Sequence, residues 1–373
     1  MTSPRIEIDL SKIRHNTRSL VGRLKLRGIT VTGVTKAVCG HPAIARAMLD
    51  GGVSGLAESR ISNVQRMRQA GIAASIAMIR TPMPSQLEQI VRSCEISYNT
   101  QIDVIAALAD VAVQAGLVQN IILMVEMGDM RDGILPEDLG TVAKKVVGMK
   151  GVALKGIGAN YACLSGVVPG DCEMTALSAL ADETEGLCGP FLEVVSGGNS
   201  ANLPWALGTR ATGRVNDLRL GEAILLGVDP VTGEQIDGLH ADAFTLVAEV
   251  IEEKIKPKPV PVSLGVPALA ILRLISDSAA VSRSILAIGK QDTDVQGLSM
   301  PQGVSYQGAT SDHLVVETFH SALRVGSELK FQMNYSALMQ AMAAPDITTT
   351  LLKDTYRPTA RHPRNKNPHL AIV

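Results

Sequence analysis

The feature that most constrains this chain is a regular alternation running through its first two thirds. Eight short runs rich in β-branched and aliphatic residues, 29–38, 52–59, 74–81, 94–99, 120–127, 154–162, 192–196 and 217–227, are separated by longer stretches of helical period. The latter include 10–24, 42–50, 62–70, 84–92, 101–115 and 136–147, several opened by proline or a polar cap, as helices prefer. Continuous apolar runs such as Ile121–Val125 suit strands buried on both faces, as in a parallel sheet. Eight such units predict an α/β chain whose strands close into a (β/α)8 TIM-type barrel, and 29–227 lies at the compact end of the roughly 200 to 400 residues that fold takes. A doubly wound open sheet is the competing topology; eight regular repeats favour closure. Composition agrees: 46% of residues are apolar but only ten are aromatic (four Phe, five Tyr, one Trp), so the core is aliphatic, as barrel interiors are.

After Gly227 the pattern changes. A polar connector, 228–243, leads into runs at 244–252, 284–289, 314–318 and 328–333 that are strand-like and lack helical partners of matching length. The expected organisation is a barrel over 1–228, with 1–9 able to join the second domain, and a mainly β C-terminal domain over 229–354. A basic tail over 355–373, with three prolines and Arg357, Arg361, Arg364 and Lys366, is expected to be disordered. The stretch 260–287 receives no local assignment.

Thirty-five Lys and Arg against 36 Asp and Glu give a formal charge of −1, so no global field draws the chain to nucleic acid or an anionic membrane. Every apolar stretch meets a charge before the roughly 18 residues a membrane span needs. The first nine residues carry charges where a secretory signal would be apolar, and the expected location is the cytoplasm. Five cysteines, an odd number without C-x-x-C spacing, fit reduced thiols; no metal site is expected.

Barrel active sites are built from the carboxyl ends of the strands. The first run carries Lys36 among apolar neighbours, where a charged, unpaired amine costs several kcal/mol. A salt bridge, snorkelling or covalent use of the amine as a Schiff base would relieve that cost. The seventh run enters Ser196-Gly197-Gly198-Asn199-Ser200, where two glycines let backbone N–H groups turn toward a ligand and Ser200 adds a hydroxyl, the makings of a phosphate cradle. The eighth carries Arg219, a guanidinium that must find acceptors in Glu222 or a ligand, followed by Gly221. Arg131, after the fifth run, is placed to meet a carboxylate or phenolate, or to pair with Asp129 or Asp132. Asn160 and Tyr161 end the sixth.

These residues, with Ile6-Glu7-Ile8-Asp9-Leu10 and Arg14-His15-Asn16, resemble the alanine-racemase-like enzymes that use pyridoxal 5'-phosphate (PLP), the fold type III group. Val31-Thr32-Gly33-Val34-Thr35-Lys36, Gly166-Val167-Val168-Pro169, Gly289 with Gln291-Asp292, and Gly308 with Ser311-Asp312-His313 are similar to the ornithine and lysine racemase branch. The resemblance implies PLP as cofactor, Lys36 as its Schiff-base lysine, and a cradle of Gly197, Gly198, Asn199, Ser200 and Gly221. It implies Arg219 at the pyridine nitrogen and Asn160 lining the ring, with Arg131 and Tyr161 toward the substrate. It also implies racemisation of a free amino acid, a basic one in this branch, by a homodimer with shared sites. An arginine donates to the ring nitrogen without protonating it; the weaker electron sink suits racemisation over transamination.

Two departures stand out. Lys290 occupies the place of the tyrosine that relatives present from the partner subunit as second base. Asp292 and Asp312, together with Lys290, His313 and Tyr306, are the candidates for that role, and Lys36 acting alone is the other possibility. Met124 replaces a lysine that supports the arginine loop of alanine racemases. Decarboxylation, D-amino-acid aldol cleavage and dehydration are possible on the same barrel. A PLP-homeostasis protein without turnover and a Schiff-base aldolase acting on sugar phosphates are the further rivals.

Overall fold

The computed structural model describes residues 3–189, 191–257, 280–318 and 322–352. A first strand, β1 (Arg5–Ile8), stands outside the barrel and feeds the helix Leu10–Lys25, whose start is capped by Asp9 accepting from the N–H groups of Ser11 and Lys12 at 2.9 and 3.1 Å. Eight parallel strands follow: β2 (Thr30–Val34), β3 (Gly55–Glu58), β4 (Ile76–Met78), β5 (Ile96–Asn99), β6 (Gln119–Met124), β7 (Val152–Gly158), β8 (Val194–Ser196) and β9 (Asp217–Leu220). β9 pairs back onto β2, Thr30 against Asp217 through Gly33 against Leu220, so the sheet closes and the open alternative is excluded.

The barrel interior holds Val34, Ala57, Ala77, Tyr98, Ile122 and Met124, while a larger aliphatic layer fills the space between strands and helices. Two of the expected runs are shorter as strands than their apolar content suggested. β2 stops at Val34, and Lys36 lies beyond it in the 3-10 turn Lys36–Val38. Buried Thr35 makes the break: its hydroxyl donates to Glu58 at 3.0 Å and its ψ of 3° leaves the extended region. The run 217–227 divides at Gly221 into β9 and the short helix Glu222–Leu226.

The C-terminal sheet is built from β10 (Phe244–Pro257), β11 (Ala280–Leu286), β12 (Leu298–Ser299), β13 (Val304–Ala309), β14 (Leu314–Thr318), β15 (Glu328–Met333) and β16 (Thr348–Leu351). Its order is β12-β15-β10-β11-β14-β13, and β1 joins it between β10 (antiparallel) and β16 (parallel). Arg5 fastens β1 there, meeting Glu7 at 2.7 Å and Glu328 at 2.5 Å, while Lys330 reaches Glu7 at 2.8 Å. Among the described residues this domain also carries a helix that the strand-like runs did not announce. Tyr335–Ala343, capped by Asn334 accepting from the Ala337 N–H at 2.9 Å, packs on the Lys36 turn and so joins the sheet to the barrel mouth. Of 260–287, residues 280–286 form β11; the part through 279 and the tail 355–373 lie outside the described residues.

Candidate active site

The carboxyl ends of the barrel strands open on a cavity of about 740 Å³. Lys36, Asn160, Asn199, Ser200, Arg219, Gly221 and Arg131 line it, bringing residues far apart in sequence to one place. Tyr98, Met124, Thr81, Arg80, Cys163, Glu222 and Tyr335 line it as well.

Lys36 has no hydrogen-bond or ion-pair partner among the described residues. Burial is the largest influence on its amine and lowers its pKa; Arg131 and Arg219 act in the same direction, Cys163 and Glu58 against it. A desolvated, unpaired amine with depressed basicity is the chemistry of a Schiff-base or proton-transfer lysine.

Arg219 is buried and held by backbone and side chains together. Its guanidinium donates to the Ser196 hydroxyl, to the Ala159 carbonyl at 2.8 Å and to Asn160 Oδ1 at 2.6 Å, and it lies over the Tyr98 ring, 4.9 Å from the centroid. Ser196 in turn donates to Asp217 Oδ2 at 2.5 Å, and Thr32 donates to the other oxygen at 2.8 Å. Glu222, read from sequence as a possible partner of Arg219, makes no bond to it and instead lines the cavity.

In the turn after β8, Asn199 donates to the Tyr161 carbonyl at 2.8 Å and accepts from the Ala201 N–H at 2.9 Å; Ser200 Oγ accepts from the Ala223 N–H at 3.3 Å. Gly198 has φ +103°, and a Cβ there would stand 3.0 Å from Tyr161 Cδ2, so a side chain at this position would be strained and crowded. Tyr161 is fully buried behind this turn; it is not among the cavity's lining residues, and its hydroxyl has no partner among the described residues.

The arginine loop is held by carboxylates. Arg131 Nε meets Asp132 at 2.6 Å and lies 3.9 Å from Asp129. Asp129 is buried and also accepts from the N–H groups of Cys163 and Leu164 at 2.9 and 3.0 Å, tying this loop to the one after β7. Met124 therefore leaves no unsupported arginine.

The residues named as second-base candidates all lie in the C-terminal domain, and none lines the cavity of its own chain. Asp292 accepts from the Gly289 N–H at 2.8 Å inside its own turn. Asp312 accepts from the hydroxyls of Thr310 and Ser311 at 3.1 and 3.0 Å. Lys290 is exposed on a turn pinned by its N–H to Thr310 and that of Gln291 to Ser311, both at 2.9 Å. Sequence reasoning missed Tyr98, Ser196, Asp217 and Tyr335; Tyr98 and Ser196 stand at the carboxyl ends of β5 and β8, where the rule that found Arg219 also applies, while Asp217 opens β9 and Tyr335 is brought in only by tertiary packing.

A barrel with a lysine after its first strand, a glycine turn after its seventh and a buried arginine on its eighth, followed by a largely antiparallel sheet, defines a recognisable class. The family model for the alanine racemase N-terminal domain matches residues 8–230. An ornithine racemase of Acetoanaerobium sticklandii is 32% identical over 94% of this chain and 99% of its own length. A lysine racemase of Thermotoga maritima is 35% identical over 92% of this chain and 97% of its own. The crystal structure of an alanine racemase from Streptomyces lavendulae superposes with a TM-score of 0.75 at 20% identity, covering 94% of this chain and 98% of that one. The chain belongs to the alanine racemase family. No helix among the described residues is long and apolar enough to cross a membrane.

Proposed function

We propose that this chain racemises a free basic amino acid of the ornithine or lysine kind, using PLP held in the barrel cavity. The observation that carries the reading is the convergence on one cavity of an unpaired, desolvated lysine, the Asn199 and Ser200 end of the glycine turn, and an oriented arginine. The two relatives matched over nearly their full lengths support the basic substrate.

The residues present fit the cofactor. Lys36 would hold it covalently through Nζ; the turn 197–200 and Gly221 would receive its phosphate; Arg219 would donate to its ring nitrogen. Bound PLP supplies an electron sink for the pair left on Cα when its proton departs. Burial holds the Lys36 amine below its ordinary pKa, so more of it is neutral at neutral pH and able to take the Cα proton on one face and return it. A second copy of the chain completes the site in this reading and supplies the second proton carrier from its 289–292 turn. Asp292 is engaged within that turn, so the assignment goes to exposed Lys290.

The test is spectroscopic and then kinetic. With PLP the protein is expected to show a visible absorption band that Lys36→Ala abolishes, and NMR in D₂O should show Cα proton exchange and inversion of ornithine and lysine, with alanine and serine compared. A protein that stays colourless in PLP sinks the cofactor assignment. Binding without exchange points instead to a PLP carrier.

A further inference from the structure

The cavity is rich in cations: Lys36, Arg80, Arg131 and Arg219 all line it. Its lining carboxylates are Asp132 and Glu222. Asp132 is engaged by Arg131 at 2.6 Å. Glu222 has no hydrogen-bond or ion-pair partner among the described residues. It is fixed in place, because it opens the short helix after Gly221 whose next three residues, Ala223, Ile224 and Leu225, are fully buried.

A part-buried carboxylate without a partner is costly unless a cation visits it. Burial is the larger influence on its carboxyl and pushes it up to about 7; the nearby Lys36 amine pulls it down and Asp229 adds to the rise. A basic amino acid brings the missing cation. Its α-carboxylate suits the arginines, but its distal ammonium would be repelled by every one of them. We propose that Glu222 determines specificity by accepting the distal ammonium of the substrate. The inference rests on the basic-amino-acid reading above and deepens it.

Lysine and norleucine differ in the distal ammonium but share the straight chain, so the pair isolates the contact. In Glu222→Gln, the ratio of KM for lysine to KM for norleucine is expected to rise tens-fold, the range of a charge-assisted hydrogen bond. Glu222→Asp, which keeps the charge, should recover part of that ratio. The visible PLP band and the circular dichroism spectrum of each variant report folding, and calorimetric titration with each amino acid gives affinities without turnover. An unchanged ratio overturns the assignment, and so does an equal fall in kcat for both substrates, which would place Glu222 in proton transfer. If the wild type exchanges no Cα proton, the racemase reading fails, while the calorimetric preference for lysine over norleucine still decides the role of Glu222.

Discussion

Replacing Ser196 with alanine removes one hydroxyl and is expected to cost more than replacing the charged residue beside it. Ser196 is fully buried; it accepts from Arg219 and donates to Asp217 at 2.5 Å. Ser196→Ala therefore strips an acceptor from a buried guanidinium and a donor from a buried carboxylate. Hydrogen bonds to charged groups contribute about 1.5–3 kcal/mol each, so the pair predicts a loss of roughly 3–6 kcal/mol. Asp217→Asn behaves differently. Burial pushes the Asp217 carboxyl above its ordinary range, outweighing Ser196, Arg219 and Thr32, which pull it down. With a raised native pKa, the carboxyl favours folding most below its unfolded value near about 3.9, and that advantage fades as pH rises through the native value. At neutral pH the ionised form is thus a burden, while asparagine keeps an oxygen for Ser196 and offers its amide to Thr32. Its expected cost is about 1 kcal/mol, within the usual range for a single substitution. Urea unfolding of both variants, compared at equal m-value, checks the order. A loss below about 1 kcal/mol for Ser196→Ala, or a larger loss for Asp217→Asn, would refute the view that the hydroxyl relay holds Arg219.

Gly198→Ala, forced into φ +103° with its methyl 3.0 Å from Tyr161, should store roughly 1–3 kcal/mol of strain in the cradle. Titration of the visible band is expected to show PLP binding weakened about tenfold or more; wild-type affinity would mean that the turn does not hold the phosphate. Lys330 and Arg5 hold Glu7 below the usual carboxylate range, and Arg5 does the same for Glu328. Their lowered pKa values stabilise the fold above the unfolded value, near about 4.3, and this stability is lost as pH falls through the native values. Unfolding midpoints between neutral pH and acid should fall less steeply in Glu7→Gln than in the wild type; parallel slopes would show that the β1 network carries no linkage.

The fold was legible where one physical signal repeats. Eight buried parallel strands leave eight apolar runs, and closure follows from their regularity more than from any single run. What the runs concealed was where the backbone leaves the sheet. Apolar content continues through Ala37 and Val38, yet Thr35 turns the chain by bonding Glu58, so hydropathy placed Lys36 inside a strand that ends before it. The helix Tyr335–Ala343 was hidden for the converse reason. Its Asn334 cap and Ala, Leu and Met period are visible locally, but a domain of strand-like runs around it suggested continuity.

At the site, the strand-end rule found residues but not which way each one faces once the chain has left the strand. Asn160 and Tyr161 both follow the end of β7 at Gly158, in the loop where strand alternation no longer applies; Asn160 lines the cavity, while Tyr161 lies buried behind the Gly198 turn. The same logic gives the few aromatics a meaning that composition alone could not. Of five tyrosines, Tyr98 lies under Arg219 and Tyr335 lines the cavity, and burial pushes both hydroxyls up, Tyr98 to about 12. A phenol held that far above neutrality is a hydrogen-bond donor and a cushion for a cation, not a base at physiological pH. Neither tyrosine therefore replaces the one absent at position 290. In the proposed reading Lys36 serves one face of the substrate, and because neither cavity tyrosine is suited to the other face, the exposed Lys290 of a second copy is proposed for it.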